Sequence, residues 1–197
     1  LREIQIWQKE GLKVAKFAVN FSGRQIEQKD FVDKIIKALK KYRTPKNMLE
    51  IEVTESVLMR DIDYTIAKLK QLHDVGVNIA IDDFGTGYSS LSYLARLPID
   101  GVKIDRSFIL DFDNSKPIIE AIIALADTMN LLTVSEGIET PEQQKSLIRL
   151  GCDFAQGYLY SEPLLIGSLK EKLELQALRE SRQTLKFRPR RKTKFPF

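Results

Sequence analysis

Short apolar segments and amphipathic segments alternate along this chain of 197 residues. A short apolar run bounded by turn residues predicts a buried strand, and apolar residues recurring every three or four positions predict a helix. Strands are predicted at residues 14–22, 48–56, 77–82, 101–108, 131–138 and 154–160. Helices are predicted at residues 1–13, 31–42, 63–75, 89–97, 117–129, 141–151 and 168–179. Repeated units of this length, with mostly apolar strands, predict a parallel sheet in an α/β fold.

Polar residues collect at the ends of these predicted strands. Those in the second half of a strand or just beyond it are Asn20, Glu52, Asp82, Asp83, Glu136 and Gln156, and Lys103 lies nearer the middle of its own. A TIM-type (β/α)₈ barrel builds its active site from the carboxyl ends of many strands, whereas a doubly wound sheet gathers it around one switch point. Polar residues on six separate strands favour the barrel. We therefore expect an incomplete TIM-type barrel, with six of the eight β/α units present.

Two adjacent carboxylates, Asp82 and Asp83, follow the apolar run of residues 77–81. Neighbouring strand residues point to opposite faces, so both can serve one site only if the chain leaves the strand there. Gly85 and Gly87 permit that departure. Carboxylates held together repel each other unless a cation lies between them, and a divalent metal with oxygen ligands is the usual solution. An Asx turn that caps the next helix is the alternative.

The predicted strand at residues 48–56 has one polar face, formed by Glu50, Glu52 and Thr54. Acidic residues on that face are expected if it lines a barrel interior or a site. An edge strand with a solvated face is the alternative. His73, the one histidine, falls in the last turn of a predicted helix, where a cation suits the helix dipole. We expect it to be a surface residue and not a metal ligand.

Charge divides the chain into a predicted domain at residues 1–180 and a basic tail at residues 181–197. The tail carries seven basic residues and no acid, so of the net +4 the remainder of the chain carries −3. Such a tail is usually solvated and disordered, although it can also bind an anionic membrane or nucleic acid. We expect no specific nucleic-acid binding. The one cysteine, Cys152, cannot form an internal disulfide, which fits a reducing, cytoplasmic setting.

Six motifs occur in a fixed order along the chain. They are Val19-Asn20-Phe21-Ser22, Glu50-Ile51-Glu52-Val53-Thr54-Glu55-Ser56, Asp82-Asp83-Phe84-Gly85-Thr86-Gly87-Tyr88-Ser89-Ser90, Lys103-Ile104-Asp105-Arg106-Ser107-Phe108, Glu136-Gly137-Ile138-Glu139 and Gln156-Gly157-Tyr158. Together they resemble the EAL-domain family, from residue 1 to about residue 173. That family consists of cyclic di-GMP phosphodiesterases built on a modified TIM barrel, which linearise the dinucleotide to pGpG with Mg²⁺ or Mn²⁺.

The resemblance implies a ligand set for two metal ions. Asn20, Glu52 and Asp82 would bind the first ion, and Asp83 would bind the second, with Asp82 close enough to bridge. Hydrolysis of a phosphodiester needs an activated water and neutralisation of the phosphoryl charge, and two neighbouring metal ions supply both. Hard oxygen ligands select Mg²⁺ or Mn²⁺.

The remaining motif residues are assigned roles by the same resemblance. Lys103 would hold the attacking water or the phosphate, and Glu136 would act as general base or complete the shell of the second metal. Gln156 would lie beside them and contact substrate. Glu55 and Glu139 would brace the loop at residues 83–90, which in the family also supports homodimer contacts. Two structural alternatives stay open: Lys103 could simply pair with Asp105, and Gln156-Gly157 could be a strand-end turn.

The chain departs from the family pattern in one respect. No Glu-Ala-Leu occurs in it, although in the family that glutamate is a metal ligand, and the arginine after it contacts substrate. We therefore expect a fragment that lacks the first two strands, with a sensory or cyclase domain upstream, and weak or no hydrolysis by this chain alone. An inactive EAL-like module that senses the nucleotide or binds a protein partner is the alternative, and a truncation product without function is a third possibility.

Overall fold

The computed structural model describes residues 1–14, 16–58, 61–87 and 91–182. These residues form one parallel sheet of six strands, ordered in space as they are in sequence. The strands are β1 (Phe17–Asn20), β2 (Leu49–Thr54), β3 (Asn78–Phe84), β4 (Gly101–Ile104), β5 (Leu132–Ser135) and β6 (Phe154–Ala155). A sequential parallel order without reversal is that of a TIM-type barrel and not of a doubly wound sheet. The prediction of an incomplete barrel is confirmed.

Helices connect and cover the strands. They are α1 (Arg2–Lys9), α2 (Gly23–Glu27), α3 (Phe31–Tyr42), α4 (Glu55–Leu58), α5 (Ile62–Asp74), α6 (Leu91–Leu94), α7 (Arg106–Leu110), α8 (Phe112–Thr128), α9 (Pro141–Leu150) and α10 (Ile166–Arg182). None of the helices in the described ranges combines the length and the apolar character that crossing a bilayer requires.

The core lies between one face of the sheet and the helices. Ile51 and Ile79 point toward the helices and are completely buried, together with Leu69 and Leu72 of α5 and Ile119 of α8. Burying one such side chain contributes about 1.5–3 kcal/mol. Because strand residues alternate, the intervening polar residues must face the other way, into the concave side of the sheet. The apolar face therefore fixes which residues can meet in a site.

Local sequence signals begin and end several helices as expected. Thr140 Oγ1 accepts a hydrogen bond from the Gln143 amide at 3.2 Å, and Gln143 Oε1 accepts one from the Thr140 amide at 3.0 Å. This capping box begins α9 as predicted, with Pro141 at its first position. Helix α3 has the predicted bounds and ends at Arg43, which adopts a left-handed conformation with φ of 49°.

Several predicted strands are too long. The prediction for residues 101–108 is wrong after Ile104, because Asp105 Oδ1 accepts a hydrogen bond from the Ser107 amide at 2.9 Å and so caps α7. The strands predicted at residues 14–22, 131–138 and 154–160 are likewise shorter in the structure. In each case the parallel ladder covers only part of the segment that the residue pattern predicted.

The predicted helices also need correction. Helix α8 begins at Phe112 and carries Pro117 inside it, whereas the prediction began at Pro117. The helices predicted at residues 1–13 and 89–97 are shorter in the structure, and α2, α4 and α7 were not predicted. Helix α10 continues to Arg182, and the rest of the predicted basic tail, residues 183–197, lies outside the described residues.

Two hydroxyl groups on β5 occupy contrasting environments. Thr133 and Ser135 are 2% and 0% exposed and share a face of the strand. Thr133 Oγ1 donates to Asp153 Oδ2 at 2.9 Å and accepts from the Asp153 amide at 3.0 Å. Ser135 Oγ has no hydrogen-bond partner among the described residues. A buried hydroxyl without a partner opposes folding, whereas a paired one does not.

We expect Ser135→Ala to leave the free energy of unfolding unchanged or to raise it by about 1 kcal/mol, because the substitution removes a desolvated polar group that has no partner. The matched variant Thr133→Ala should lower the free energy of unfolding by about 1–2 kcal/mol, since it removes the two hydrogen bonds that Thr133 Oγ1 makes with Asp153. Urea denaturation followed by circular dichroism measures both. Equal destabilisation by the two variants would contradict the contrast between these sites.

Candidate active site

The amino group of Lys103 lies at the centre of a buried cluster of charges. Its Nζ atom is 2.9 Å from Glu52 Oε2, 3.0 Å from Asp82 Oδ1 and 2.5 Å from Glu136 Oε1. The side chain of Lys103 is 5% exposed, and those of Glu52, Asp82 and Glu136 are 8%, 13% and 21% exposed. These four residues come from separate parts of the sequence, so only the fold brings them together.

The register of the sheet places these side chains on one surface. Asn20 is paired with Glu52 across β1 and β2, and Glu52 is paired with Ala80, two residues before Asp82 on the same face of β3. Glu136 follows β5 directly, and its amide donates to the Ile104 carbonyl at 3.1 Å. The group therefore lies at the carboxyl ends of the strands, where a barrel of this type builds its site. The alternative of an edge strand for residues 48–56 is wrong, since β2 has neighbours on both sides.

The chain leaves the regular strand at Asp83, as the paired carboxylates require. Asp83 has a φ of 54°, and the β3–β4 register shifts between Ile81 and Phe84. The Asp83 carbonyl accepts hydrogen bonds from the Thr86 amide at 3.3 Å and from Thr86 Oγ1 at 2.9 Å, which closes a turn. Of the two glycines predicted to permit this turn, Gly85 adopts a left-handed conformation, with φ of 94°.

Burial and like charges perturb the pKa values at this cluster. Burial raises the pKa of Glu52 and is the largest effect on it. Lys103 lowers this pKa by its hydrogen bond and its charge, and the carboxylates of Asp82 and Glu136 raise it by smaller amounts. The pKa of Asp83 is also raised, by burial and then by the charges of Asp82 and Asp105. For Lys103, burial alone would lower the pKa, but hydrogen bonds and charges from Glu136 and Glu52 outweigh burial and raise it. Lys103 is therefore protonated at neutral pH.

The donor set fits a divalent cation. Three carboxylates surround one ammonium group, which leaves an excess of two negative charges in a largely buried place. Asp83 adds a fourth carboxylate at the same strand end, and all the donors are hard oxygen atoms of the kind that Mg²⁺ and Mn²⁺ prefer. As they stand, no three His, Cys, Asp or Glu side chains in the described ranges converge on an ion position. The point where the carboxylates meet is taken by Lys103 Nζ.

Gln156 lies at the end of the last strand, opposite Glu136. Its amide donates to the Ser135 carbonyl at 2.8 Å, and its carbonyl accepts from the Ile138 amide at 3.1 Å. A Cβ atom on Gly157 would lie 2.2 Å from the Ile138 carbonyl oxygen, so no larger residue fits there. Gly157 thus lets the loop after Glu136 pack directly on the end of β6. Sequence reasoning missed this role, although the Gln-Gly pair marks the place.

Residues 1–163 match the model of the EAL domain family. The chain belongs to the EAL domain family. This EAL domain is 45% identical, over 87% of the chain, to the cyclic di-GMP phosphodiesterase NbdA of Pseudomonas aeruginosa. It is also 45% identical, over 83% of the chain, to the bifunctional diguanylate cyclase/cyclic di-GMP phosphodiesterase MucR of the same organism. The matches span 22% and 24% of those two proteins, so the chain matches about a quarter or less of their lengths.

Solved structures of EAL domains superpose on this one. The PaMucR phosphodiesterase in complex with c-di-GMP has a TM-score of 0.81 and 44% identity, with 85% of this chain and 69% of that chain covered. The EAL domain of Mycobacterium smegmatis DcpA has a TM-score of 0.83 and 40% identity, with 88% and 80% covered. The fold and the family of the chain rest on these matches together with the family model.

The two glutamates predicted to brace the loop at residues 83–90 differ in their surroundings. In the EAL domain Glu55 is buried, and its carboxylate has no hydrogen-bond partner among the described residues. A Cβ atom on Gly87 would lie 2.7 Å from Glu55 Oε1, so the loop passes directly over this carboxylate. Glu139 is half-exposed and pairs with Arg106, whose Nη2 atom is 2.7 Å from Glu139 Oε1. Residues 88–90 of the loop lie outside the described residues.

Two residues lie away from the charge cluster. The His73 side chain is exposed at the end of α5, and its Nε2 atom is 3.4 Å from Asp100 Oδ1, which confirms the prediction of a surface residue. Asp105 caps α7, so the alternative in which it simply pairs with Lys103 is wrong. The partners of Lys103 instead lie on β2, on β3 and directly after β5.

We expect Lys103→Met to lower the free energy of unfolding by about 3–5 kcal/mol at neutral pH, because it leaves buried carboxylates without a counter-charge. Without Lys103 the folded-state pKa of Glu52 should rise further above its ordinary value of 4.5. The folded variant then binds more protons than its unfolded chain, so its stability falls as pH rises above that value. Urea denaturation at mildly acidic and at neutral pH should show the larger loss at neutral pH.

The control for this prediction is Lys116→Met. Lys116 is exposed on α8 and lies 3.9 Å from Glu120, an arrangement that contributes little to stability. Its replacement should change the free energy of unfolding by less than about 0.5 kcal/mol at either pH. A loss for Lys103→Met that is small, or that does not depend on pH, would contradict the charge balance described for the cluster.

Proposed function

We propose that this EAL domain carries the catalytic residues of a cyclic di-GMP phosphodiesterase that hydrolyses its substrate to pGpG. The observation that carries the proposal is the buried cluster of Lys103 with Glu52, Asp82 and Glu136 at the carboxyl ends of the strands. Buried charges with a net excess of one sign cost stability, and proteins keep them mainly where chemistry needs them. The names of the relatives NbdA and MucR support the choice of substrate.

Two divalent ions, Mg²⁺ or Mn²⁺, would be held by the oxygen donors of this cluster. Asn20, Glu52 and Asp82 would hold the first ion, and Asp83 would hold the second with Asp82 between them. When bound, such ions supply an activated water and neutralise charge on the phosphoryl group. The three carboxylates outnumber the one ammonium group in the cluster, so a divalent cation would balance charge there.

Lys103 and Glu136 would act on the phosphate and the water. The raised pKa of Lys103 keeps its Nζ atom protonated, so it supplies fixed positive charge and cannot serve as a base. Glu136 is the most exposed of the three carboxylates, so water can reach it most readily. We assign it the role of accepting a proton from the attacking water as the bond from phosphorus to the leaving oxygen breaks. Gln156, exposed beside it, would contact substrate.

The loop that begins at Asp83 would connect the metal ligands to a second copy of the domain. Glu55 lies beneath Gly87 of that loop and would brace it from below. Glu139, which pairs with Arg106, is the second residue proposed to support the loop. A homodimer formed through residues 83–90 would then couple association to the position of Asp83. A cytoplasmic location and an upstream sensory or cyclase domain complete the proposal. The name of the relative MucR combines a diguanylate cyclase with a phosphodiesterase.

A second candidate function is that of an EAL-like module without catalysis. Among the described residues no three carboxylates converge on an ion position, because Lys103 Nζ occupies the point where they meet, and this arrangement favours it. Every motif position that the chain covers carries the residue type expected of an active enzyme, which argues against this alternative. Binding of cyclic di-GMP without turnover, in the protein that contains this chain with its natural flanking sequence, would support the module over the enzyme.

The test is turnover of cyclic di-GMP by that full-length protein with Mg²⁺ or Mn²⁺, followed by chromatography of pGpG. We expect Asp82→Asn and Glu136→Gln each to lower kcat by about 100-fold or more, since each removes an ionised group at the reacting centre. The control Glu142→Gln changes an exposed glutamate in the first turn of α9 and should turn over at the unsubstituted rate. Turnover by the isolated 197-residue chain should be weak or absent.

Two outcomes would count against the proposed catalytic residues, and a third would count against the expectation for the isolated chain. Full activity of Glu136→Gln would remove Glu136 from the mechanism. Equal loss in Glu142→Gln would show that the assay reports folding and not the site. Turnover by the isolated chain at the rate of the full-length protein would show that the Glu-Ala-Leu motif is not needed, contrary to the expectation from the sequence.

A further inference from the structure

Arg106, the first residue of α7, contacts the loop that carries Glu136. Its Nη2 atom is 2.7 Å from Glu139 Oε1, and both side chains are half-exposed. A Cβ atom on Gly137 would lie 2.2 Å from Arg106 Cγ and 2.9 Å from Arg106 Cβ and Cδ. The aliphatic stem of Arg106 therefore lies directly against the Gly137 backbone, and its guanidinium group binds the loop two residues further on.

An exposed ion pair alone does not account for this contact. Such pairs contribute little to stability, because both groups are well solvated when they are apart. The close approach of the stem is a separate feature, since it requires a residue without a side chain at position 137. Gly137 has a φ of 70°, and glycine restricts its own backbone less than any other residue does. The conformation of Gly137 must therefore be fixed by its neighbours, of which Arg106 is one.

The residues on either side of Gly137 are held by backbone hydrogen bonds. The Glu136 amide donates to the Ile104 carbonyl at 3.1 Å, which joins the start of the loop to the end of β4. The Ile138 amide donates to the Gln156 carbonyl at 3.1 Å, which joins the loop to the end of β6. The flexible residue thus lies between two anchored ones, and the arginine of α7 packs on it.

Helix α7 is itself tied to the same loop. Asp105 Oδ1 accepts a hydrogen bond from the Ser107 amide at 2.9 Å and begins the helix. Gln143 of α9 accepts a hydrogen bond from the Glu139 amide at 2.9 Å through Oε1, and its Nε2 atom donates to the Ile109 carbonyl at 3.3 Å. One glutamine side chain therefore bonds both the loop and α7. The place of the arginine relative to the loop is set by these contacts as well as by its own ion pair.

The position of Glu136 depends on this loop more than the positions of the other two carboxylates do. Glu52 and Asp82 lie within strands, whereas Glu136 follows the end of β5. A general base must lie within hydrogen-bond reach of the proton that it accepts. A change in the torsions of Gly137 alters the peptide that follows Glu136, and with it the direction of the carboxylate that lies at Lys103 Nζ.

We infer that Arg106 is a positioning residue for Glu136. Its stem on Gly137 and its ion pair with Glu139 fix the loop, which keeps the general base in place beside the central lysine. The inference rests on the proposed function, because it takes Glu136 to accept the proton of the attacking water. Arg106 acts through the backbone of the loop and takes no proton itself.

Steady-state turnover of cyclic di-GMP by the full-length protein with Mg²⁺ tests the inference. We expect Arg106→Ala to lower kcat about tenfold and to change KM by less than about twofold, because the base is displaced while substrate binding is kept. Arg106→Lys keeps most of the stem and a positive charge for Glu139, so its kcat should lie within about twofold of the unsubstituted value. Added to Glu136→Gln, Arg106→Ala should cause no further loss, since both act on one group.

The matched control is Arg96→Ala. Arg96 forms another exposed ion pair, in which its Nη2 atom is 2.5 Å from Asp63 Oδ1, and neither residue belongs to the loop that carries Glu136. Its kcat and KM should equal those of the unsubstituted protein. The midpoints of urea denaturation of Arg96→Ala and Arg106→Ala should also agree with each other, since each variant loses one exposed ion pair.

The outcomes separate the inference from the proposed function. Unchanged kcat in Arg106→Ala, a loss that multiplies with that of Glu136→Gln, or a rise in KM alone would overturn the inference and leave the proposed function intact; the rise in KM would indicate contact with substrate. No turnover by the unsubstituted protein would overturn both. Should Arg106→Ala fail to fold, Arg106→Met, which keeps an unbranched stem, is expected to lose about threefold in kcat, with no further loss when it is added to Glu136→Gln.

Discussion

The ion pairs of Lys103 determine how this domain can hold its site together. The apolar faces of β2, β3 and β4 must pack against the helices, and the alternation of strand residues then forces Glu52, Asp82 and Lys103 onto the concave face. Three carboxylates gathered without a cation would repel one another in a place with little water. The central ammonium group of Lys103 reduces this repulsion but does not neutralise the charge of the three carboxylates. The residual negative charge, which is a cost to folding, is also what would attract a divalent cation.

Much of this arrangement could be predicted from residue patterns. Glu50, Glu52 and Thr54 alternate with apolar residues, and this alternation predicted the acidic face of β2 correctly. Successive side chains of a strand point to opposite faces, so a period of two assigns each residue to a face. The adjacent Asp82 and Asp83 required the chain to leave the strand, and the positive φ of Asp83 is that departure. Both predictions succeeded because the structural feature depends on residues that are neighbours in the sequence.

The wrong predictions concern helices too short to show a period and contacts between residues far apart in the sequence. Helices α2, α4 and α7 have five residues or fewer, too few for a helical period to show. The available signals for two of them were their caps: Ser22 before α2, with Gln25 in its first turn, and Asp105 before α7. The partners of Lys103 are 51, 21 and 33 residues away in sequence, whereas Asp105 is two residues away and seemed the natural partner. Which carboxylates reach a lysine depends on the order and register of parallel strands, which no local pattern contains.

The proposed site also has a rigid centre and two weaker flanks. Glu52, Asp82 and Lys103 lie on interior strands and are fixed by ladders on both sides, as preorganised charges must be if they are to act on a developing charge. Asn20 and Gln156 belong to the two edge strands of the described sheet and are exposed. After β6, Gly157 admits the backbone of Ile138, and after β1, Lys68 donates a hydrogen bond to the Ile26 carbonyl near the end of α2. The segments that follow Asn20 and Gln156 thus make contacts outside the ladder, whereas Glu52, Asp82 and Lys103 are held within it.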